Sequence, residues 1–176
     1  MNILAYLFVI FAVLVHLRAV PMPFHFTPVA ASLLFFGARL PRKRMFTPLA
    51  LLIAADVYLT KFTYGYPLTW DHAVTWAWYA AMLLLGGVLA QNAAVLRVAA
   101  ASLTASISFF MVSNFAVWAV WRDMYPATWN GLLACYIAAL PFFRNTVVSD
   151  LLFSAAFFGL GYLVSHRRQE STSIAL

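Results

Sequence analysis

Apolar residues fill this chain in long runs broken by short polar or proline-containing stretches. A bilayer crossing needs roughly 20 apolar residues, and the runs divide into six spans of about that size. Span 1 covers about Asn2 to Ala19 and is ended by Pro21 and Pro23, because proline cannot continue a helix and restricts the residue before it. Span 2, from Phe26 to Leu40, opens at Phe26-Thr27-Pro28, with Thr27 as helix cap and Pro28 at the first helical position. Span 3 opens in the same way at Phe46-Thr47-Pro48 and runs to about Thr63. These paired triplets are helix starts and not an internal repeat, since neighbouring spans run antiparallel.

Tyr64-Gly65-Tyr66-Pro67 reads as a turn. Asp71 then caps span 4, which runs to about Ala90, and span 5 covers about Val95 to Trp121. After Arg122 to Pro126 comes a shorter apolar run, Gly131 to Leu140, stopped by Pro141. That length is too short to cross and predicts an interfacial or re-entrant helix. Asn145 caps span 6, to about Ser165. The predicted fold class is an all-α integral membrane protein forming one transmembrane domain over residues 1–176.

Composition sharpens this picture. Hydrophobic residues make up 65% of the chain and charged residues 9%, against about 25% charged in soluble domains. The net charge is +6. The basic residues cluster between apolar runs, which points to membrane orientation and away from nucleic acid. Placing Arg39, Arg42, Lys43 and Arg44 in the cytoplasm also puts Arg97, Arg167 and Arg168 there, with Arg18, Lys61, Arg122 and Arg144 outside. Both termini are then cytoplasmic. No Lys or Arg precedes the first apolar run and no small-residue cleavage site follows it, so span 1 reads as retained. The single cysteine, Cys135, excludes an internal disulfide.

Charge inside a membrane costs about 2.5–3.5 kcal/mol per residue on insertion scales, which directs attention to Asp56 and Asp150. Counted from the predicted outer ends at about 1.5 Å per residue, Asp56, Asn114 and Asp150 lie on the order of 8–10 Å below the outer surface on three spans, with Lys61 and Arg144 above them. Convergence is expected, with Lys61 or Arg144 neutralising at least one aspartate. An unpaired carboxylate in apolar surroundings tends instead to take up a proton. Two readings stay open: a polar cluster that only locks helices together, and a cavity open to the outside.

All six tryptophans (Trp70, Trp76, Trp78, Trp118, Trp121 and Trp129) fall near outer ends, as interfacial anchors or, for some, as surfaces on which a ligand stacks. His16, His25 and His72 map to the same side; they are either interfacial histidines satisfied locally or ligands to a metal, and no motif spacing decides between these. Cys135 reads as a packing residue or a soft axial ligand. Small residues four apart (Ala50 and Ala54, Gly86 and Ala90, Ala155 and Gly159) permit close helix contact. Phosphate-loop, zinc-protease and hydrolase-elbow motifs are absent from the sequence.

Phe26-Thr27-Pro28-Val29-Ala30-Ala31, Ser113-Asn114-Phe115-Ala116-Val117-Trp118, and Tyr125-Pro126 followed by Gly131 to Tyr136 and Pro141-Phe142-Phe143-Arg144-Asn145, closing at Asp150, together resemble an uncharacterised family of small six-span bacterial membrane proteins. That family in turn is similar to the substrate-capture (S) components of energy-coupling factor (ECF) vitamin transporters. The resemblance covers roughly residues 20 to 160. It implies a bacterial inner-membrane protein, not an enzyme, that takes a vitamin- or cofactor-like molecule from outside, under the loops Pro21 to His25, Tyr64 to Asp71 and Arg122 to Arg144. It also implies partners: a membrane coupling protein and an ATPase pair. Span 1 carries Ala5 and Ala12 but no Ala-x-x-x-Ala, the small-residue pattern with which S components meet the coupling protein. The candidate ligand-binding residues are Asp56, Asn114, Asp150, Arg144, Trp118, Tyr125 and His25, with no metal and no cofactor. The alternatives are a membrane-embedded b-haem or metal-dependent enzyme using the outer histidines, and a structural or assembly subunit of a membrane complex.

Overall fold

The computed structural model describes residues 2–22 and 26–174, with side chains to Arg167. The described residues form six α-helices and no strand: α1 (Asn2–His16), α2 (Val29–Arg39), α3 (Phe46–Tyr58), α4 (Trp70–Val88), α5 (Val95–Val120) and α6 (Trp129–Ile174). Three helical stretches are long and apolar enough to cross a bilayer: Arg42–Thr63, Val95–Val120 and Trp129–Arg167. The first of these joins a 3-10 turn at Arg42–Arg44, α3, and a π-helical extension at Leu59–Thr63. The described residues are thus all-helical, and their apolar helices are compatible with a membrane protein. α1 and α2 are apolar but shorter, at 15 and 11 residues.

The order of burial explains the architecture. In α2, every residue from Val29 to Ala38 is buried. Its sequence has no polar face, and its one hydroxyl, Ser32 Oγ, donates back to the Val29 carbonyl at 2.8 Å. A helix apolar all round belongs at the centre, and α2 packs on α1, α4, α5 and α6. At about 1.5 Å per residue it is only about 16 Å long, roughly half the hydrocarbon thickness of a bilayer. The space beyond its first residue is where the candidate site lies.

The α2–α4 crossing is a backbone contact. A Cβ placed on Gly37 would lie 2.0 Å from the Leu83 carbonyl oxygen, and one on Gly86 would lie 2.3 Å from that of Leu34. Of the small residues that the sequence marks for close contact, Gly86 therefore serves, with Gly37 as its partner. Ala54, Ala90, Ala155 and Gly159 face outward. Aromatic rings tie α1, α2 and α6 together: Phe8 stacks on Phe157 with centroids 3.8 Å apart, and Phe35 meets Phe8 and Phe158 edge-on at 5.1 and 5.2 Å.

Spans 3, 4 and 5 begin and end within two residues of the expected positions, α3 with its π-helical extension covering Phe46 to Thr63; other boundaries differ. Thr69, not Asp71, precedes α4, and Asp71 lies in its first turn. Pro28 occupies the cap position of α2, while the Thr27 hydroxyl makes no capping bond. The largest correction concerns α6. Gly131 to Leu140 is not a separate re-entrant helix, and Asn145 is not a cap: one helix runs from Trp129 through Pro141 to Ile174. Pro141 removes a single N–H bond, and transmembrane helices tolerate that where neighbouring structure re-satisfies the freed backbone. α5 packs along α6. The α5–α6 hairpin consequently projects past the ends of α1 and α3. At its tip Trp121 meets Tyr66 of the α3–α4 loop, with ring centroids 6.1 Å apart.

Candidate functional site

The ends of α1 and α3 and the starts of α2 and α4 surround a cavity of about 710 Å³. Successive helices alternate direction, so the cavity lies at the end of the bundle opposite Arg42, Lys43 and Arg44. Val29 and Ala30, from the first turn of α2, form part of its wall. Pockets of roughly 300–1,000 Å³ hold drug-sized organic molecules.

α3 changes geometry as it reaches the cavity. From Leu59 to Thr63 it widens into a π-helix, closed by the Tyr64 N–H donating to the Leu59 carbonyl at 2.9 Å. Such π-turns collect at functional sites because they rotate side chains out of the regular helical register. Here Leu59 and Thr60 line the cavity while Lys61 points away, exposed.

Asp56, one helical turn earlier, is fully engaged. His16 Nε2 lies 2.6 Å from its Oδ1, the Trp76 indole N–H donates to Oδ2 at 3.0 Å, and the Tyr79 hydroxyl reaches Oδ1 at 3.4 Å. Burying a carboxylate is costly unless it is hydrogen-bonded, and these partners offset that cost. The network ties α1, α3 and α4 together, with the His16 and Asp56 side chains 25% and 12% exposed. His72, in the first turn of α4, places Nε2 3.1 Å from the Thr60 hydroxyl and Nδ1 3.2 Å from the Asp71 carboxylate. The Thr69 hydroxyl donates to Asp71.

Asp150 is 2% exposed and lines the opposite wall. Ser106 donates to its Oδ2 at 2.6 Å. Below this contact the Ser102 hydroxyl donates to Ser154 Oγ at 2.7 Å, making a buried polar seam between α5 and α6. Trp78, Tyr79, Phe109 and Phe26 supply aromatic surface to the same cavity. At the mouth, Arg18 adopts a left-handed backbone with φ of 58° and donates from Nε to the Tyr64 hydroxyl at 3.3 Å.

The expected polar layer is thus half assembled. Asp56 and Asp150 share the cavity; Asn114 is not among its lining residues and bonds instead to the Phe110 carbonyl of its own helix at 2.7 Å. Lys61 and Arg144 neutralise neither aspartate, because both side chains face outward; Asp56 is partnered by His16. Trp118 donates its indole N–H to the Pro126 carbonyl at 2.9 Å and carries Arg122 over its ring at 4.5 Å, and Tyr125 lies in the same α5–α6 turn, outside the cavity lining. His25 lies outside the described residues. The tryptophans divide as well: Trp70 and Trp129 are exposed, whereas Trp76 and Trp78 turn inward, the latter donating to Ser108 Oγ at 3.0 Å.

Residues that the sequence did not single out complete the walls, Thr60, Tyr79 and Phe109, and Ser106 holds Asp150 from behind the lining. The four-residue spacing of Ser102 and Ser106, matched by that of Asp150 and Ser154, was an available signal, since both pairs share one helix face. Cys135 is buried and its thiol contacts the Asn114 carbonyl at 3.4 Å. Among the described residues no group of three His, Cys, Asp or Glu side chains is arranged to hold a metal ion.

The model of a family of unknown function, DUF6580, matches residues 1–172. The chain belongs to that family. The DUF6580 match takes in α1 to α5, α6 as far as residue 172, both aspartates and every wall of the cavity. Among curated proteins, and among solved structures, no match is found.

Proposed function

We propose that this DUF6580 protein is a small-molecule uptake protein that crosses the bacterial inner membrane six times and captures its ligand in the cavity at the extracytoplasmic end, as ECF S components do. The observation that carries this reading is the cavity itself: a largely apolar space of about 710 Å³ into which two membrane-depth aspartates from different helices face, at the end opposite the basic cluster. Basic residues favour the cytoplasmic side, so the cavity opens outward and both termini lie inside. Intramembrane carboxylates are costly, and a site is the default reason for keeping them. A helix lock accounts for Asp56, which is saturated by His16, Trp76 and Tyr79, but it needs no open volume beside it.

The coupling partners of S components belong to the same proposal, with a restriction. Ala5 and Ala12, the small residues of α1, are fully buried inside the bundle, and its outer face presents Ile3, Leu7, Ile10 and Leu14. A coupling protein that grips small residues on the first span finds none facing outward here. These features support a carrier that works alone, or one that docks through another helix.

The test is depletion of solutes from growth medium. Cells expressing the chain should remove a specific small organic solute faster than cells expressing Thr146→Trp, which places an indole in the cavity wall. Equal depletion at equal membrane abundance would refute uptake through this cavity. A Soret band in the purified protein would instead favour a b-haem protein.

A further inference from the structure

The charge arrangement of the cavity goes further than its size. Its wall holds three charged side chains, Arg18, Asp56 and Asp150, together with the imidazoles of His16 and His72. Asp56 already receives three hydrogen-bond contacts, one from an imidazole. Arg18 reaches the Tyr64 hydroxyl at the mouth. Asp150 differs from both. It is the most deeply buried of the charged lining side chains, at 2% exposed, yet its contact is a single hydroxyl, Ser106, on Oδ2. Among the described residues Oδ1 receives no hydrogen bond and no Lys, Arg or His forms a salt bridge with this carboxyl.

A buried carboxylate without a counter-charge is expensive, and the cost is relieved by a cation brought to it. Rings flank the approach: Trp78 and Phe109, themselves tilted together with centroids 4.8 Å apart, with Phe26 and Tyr79 nearby. Aromatic faces carry negative quadrupole potential and attract organic ammonium groups, most strongly where water is excluded. Two carboxylates lining one cavity also disfavour an anionic ligand.

We propose that the cavity selects an organic cation: a molecule with a protonated nitrogen that binds Asp150 through Oδ1, and an apolar or aromatic body that lies against Trp78 and Phe109. This inference rests on the reading of the cavity as a ligand site.

The full chain in mild detergent is titrated calorimetrically with matched probes of one shape and three charges: phenethylamine, 2-phenylethanol and 3-phenylpropionate, and the same three head groups on a naphthyl body. The amine is expected to bind roughly tenfold or more tightly than its alcohol twin, as for a hydrogen bond to a charged group, and the carboxylate not at all. Asp150→Asn keeps the shape and the Ser106 contact and should abolish the amine's advantage over its alcohol twin. If an alcohol or carboxylate binds as tightly as the amine, the cavity is a ligand site but the charge class is wrong. If none of the six binds, the ligand-site reading falls together with the inference. The comparison of probes on the wild-type chain decides the matter even if Asp150→Asn does not fold.

Discussion

Replacing Gly37 by alanine tests the geometry on which the cavity depends. α2 forms part of the cavity wall with its first turn and is held against α4 by direct backbone contact at Gly37 and Gly86. The new Cβ would sit 2.0 Å from the Leu83 carbonyl oxygen, whereas close carbon–oxygen contacts settle at about 3.3 Å. The obstacle is backbone, not a movable side chain, so α2 and α4 must part by on the order of 1 Å. A gap of that width forfeits a quarter to a half of the dispersion energy of each facing pair, along a seam that includes Leu34, Leu83 and Met82. Overpacking typically costs about 1–3 kcal/mol, and the backbone clash puts this case at the upper end. The improved helix propensity of alanine returns only about 0.5–1 kcal/mol. Thermal unfolding followed by tryptophan fluorescence should fall by roughly 5 °C. Gly159→Ala is the internal control: nothing lies within 4 Å of its Cβ position, so that variant should melt at or slightly above the wild-type temperature. A Gly37→Ala protein that melts with the wild type would show that α2 and α4 are not in backbone contact, and would remove the basis for the cavity wall.

Two further outcomes follow from residues already described. Asn114→Ala should lose at most about 1 kcal/mol of stability, the value of one neutral hydrogen bond, and should retain whatever small molecule the wild type carries, because its side chain serves its own helix; ligand loss in mass spectra of the purified variant would place Asn114 back at the site. A single cysteine at position 43, in a Cys135→Ser background, should resist an impermeant maleimide in intact cells and react after permeabilisation; labelling in intact cells would invert the orientation.

Much of the helical layout was legible because apolar runs and their breaks are dictated by solvent and by proline. The error at Pro141 arose from applying the water rule to a helix flanked by α5. In water the freed carbonyl and the clash end a helix; beside a packed neighbour they bend it. The same error explains the partial success of the polar layer. Depth was counted from Asn145, but the helix begins at Trp129, about 24 Å earlier at 1.5 Å per residue. Asp150 nevertheless reaches the cavity because the α5–α6 hairpin extends past the other helices. Asn114, near the far end of α5, is carried beyond it: Ser106, which does meet Asp150, lies eight residues nearer the start of that helix. Depth also fixes no azimuth, so it could not separate Lys61, turned outward by the π-turn, from Thr60, turned inward. The partners of Asp56 were hidden for a related reason. His16, Trp76 and Tyr79 come from α1 and α4, and no spacing along the chain relates them.

The central claim is that the cavity holds a small molecule, and native mass spectrometry of the protein released from mild detergent tests it most directly. The wild-type chain should carry a bound organic species of defined mass, and Thr75→Trp, which fills the cavity from α4, should appear at its bare mass with an unchanged melting temperature. The same adduct on both proteins, or none on the wild type after exposure to cell extract, would contradict the account.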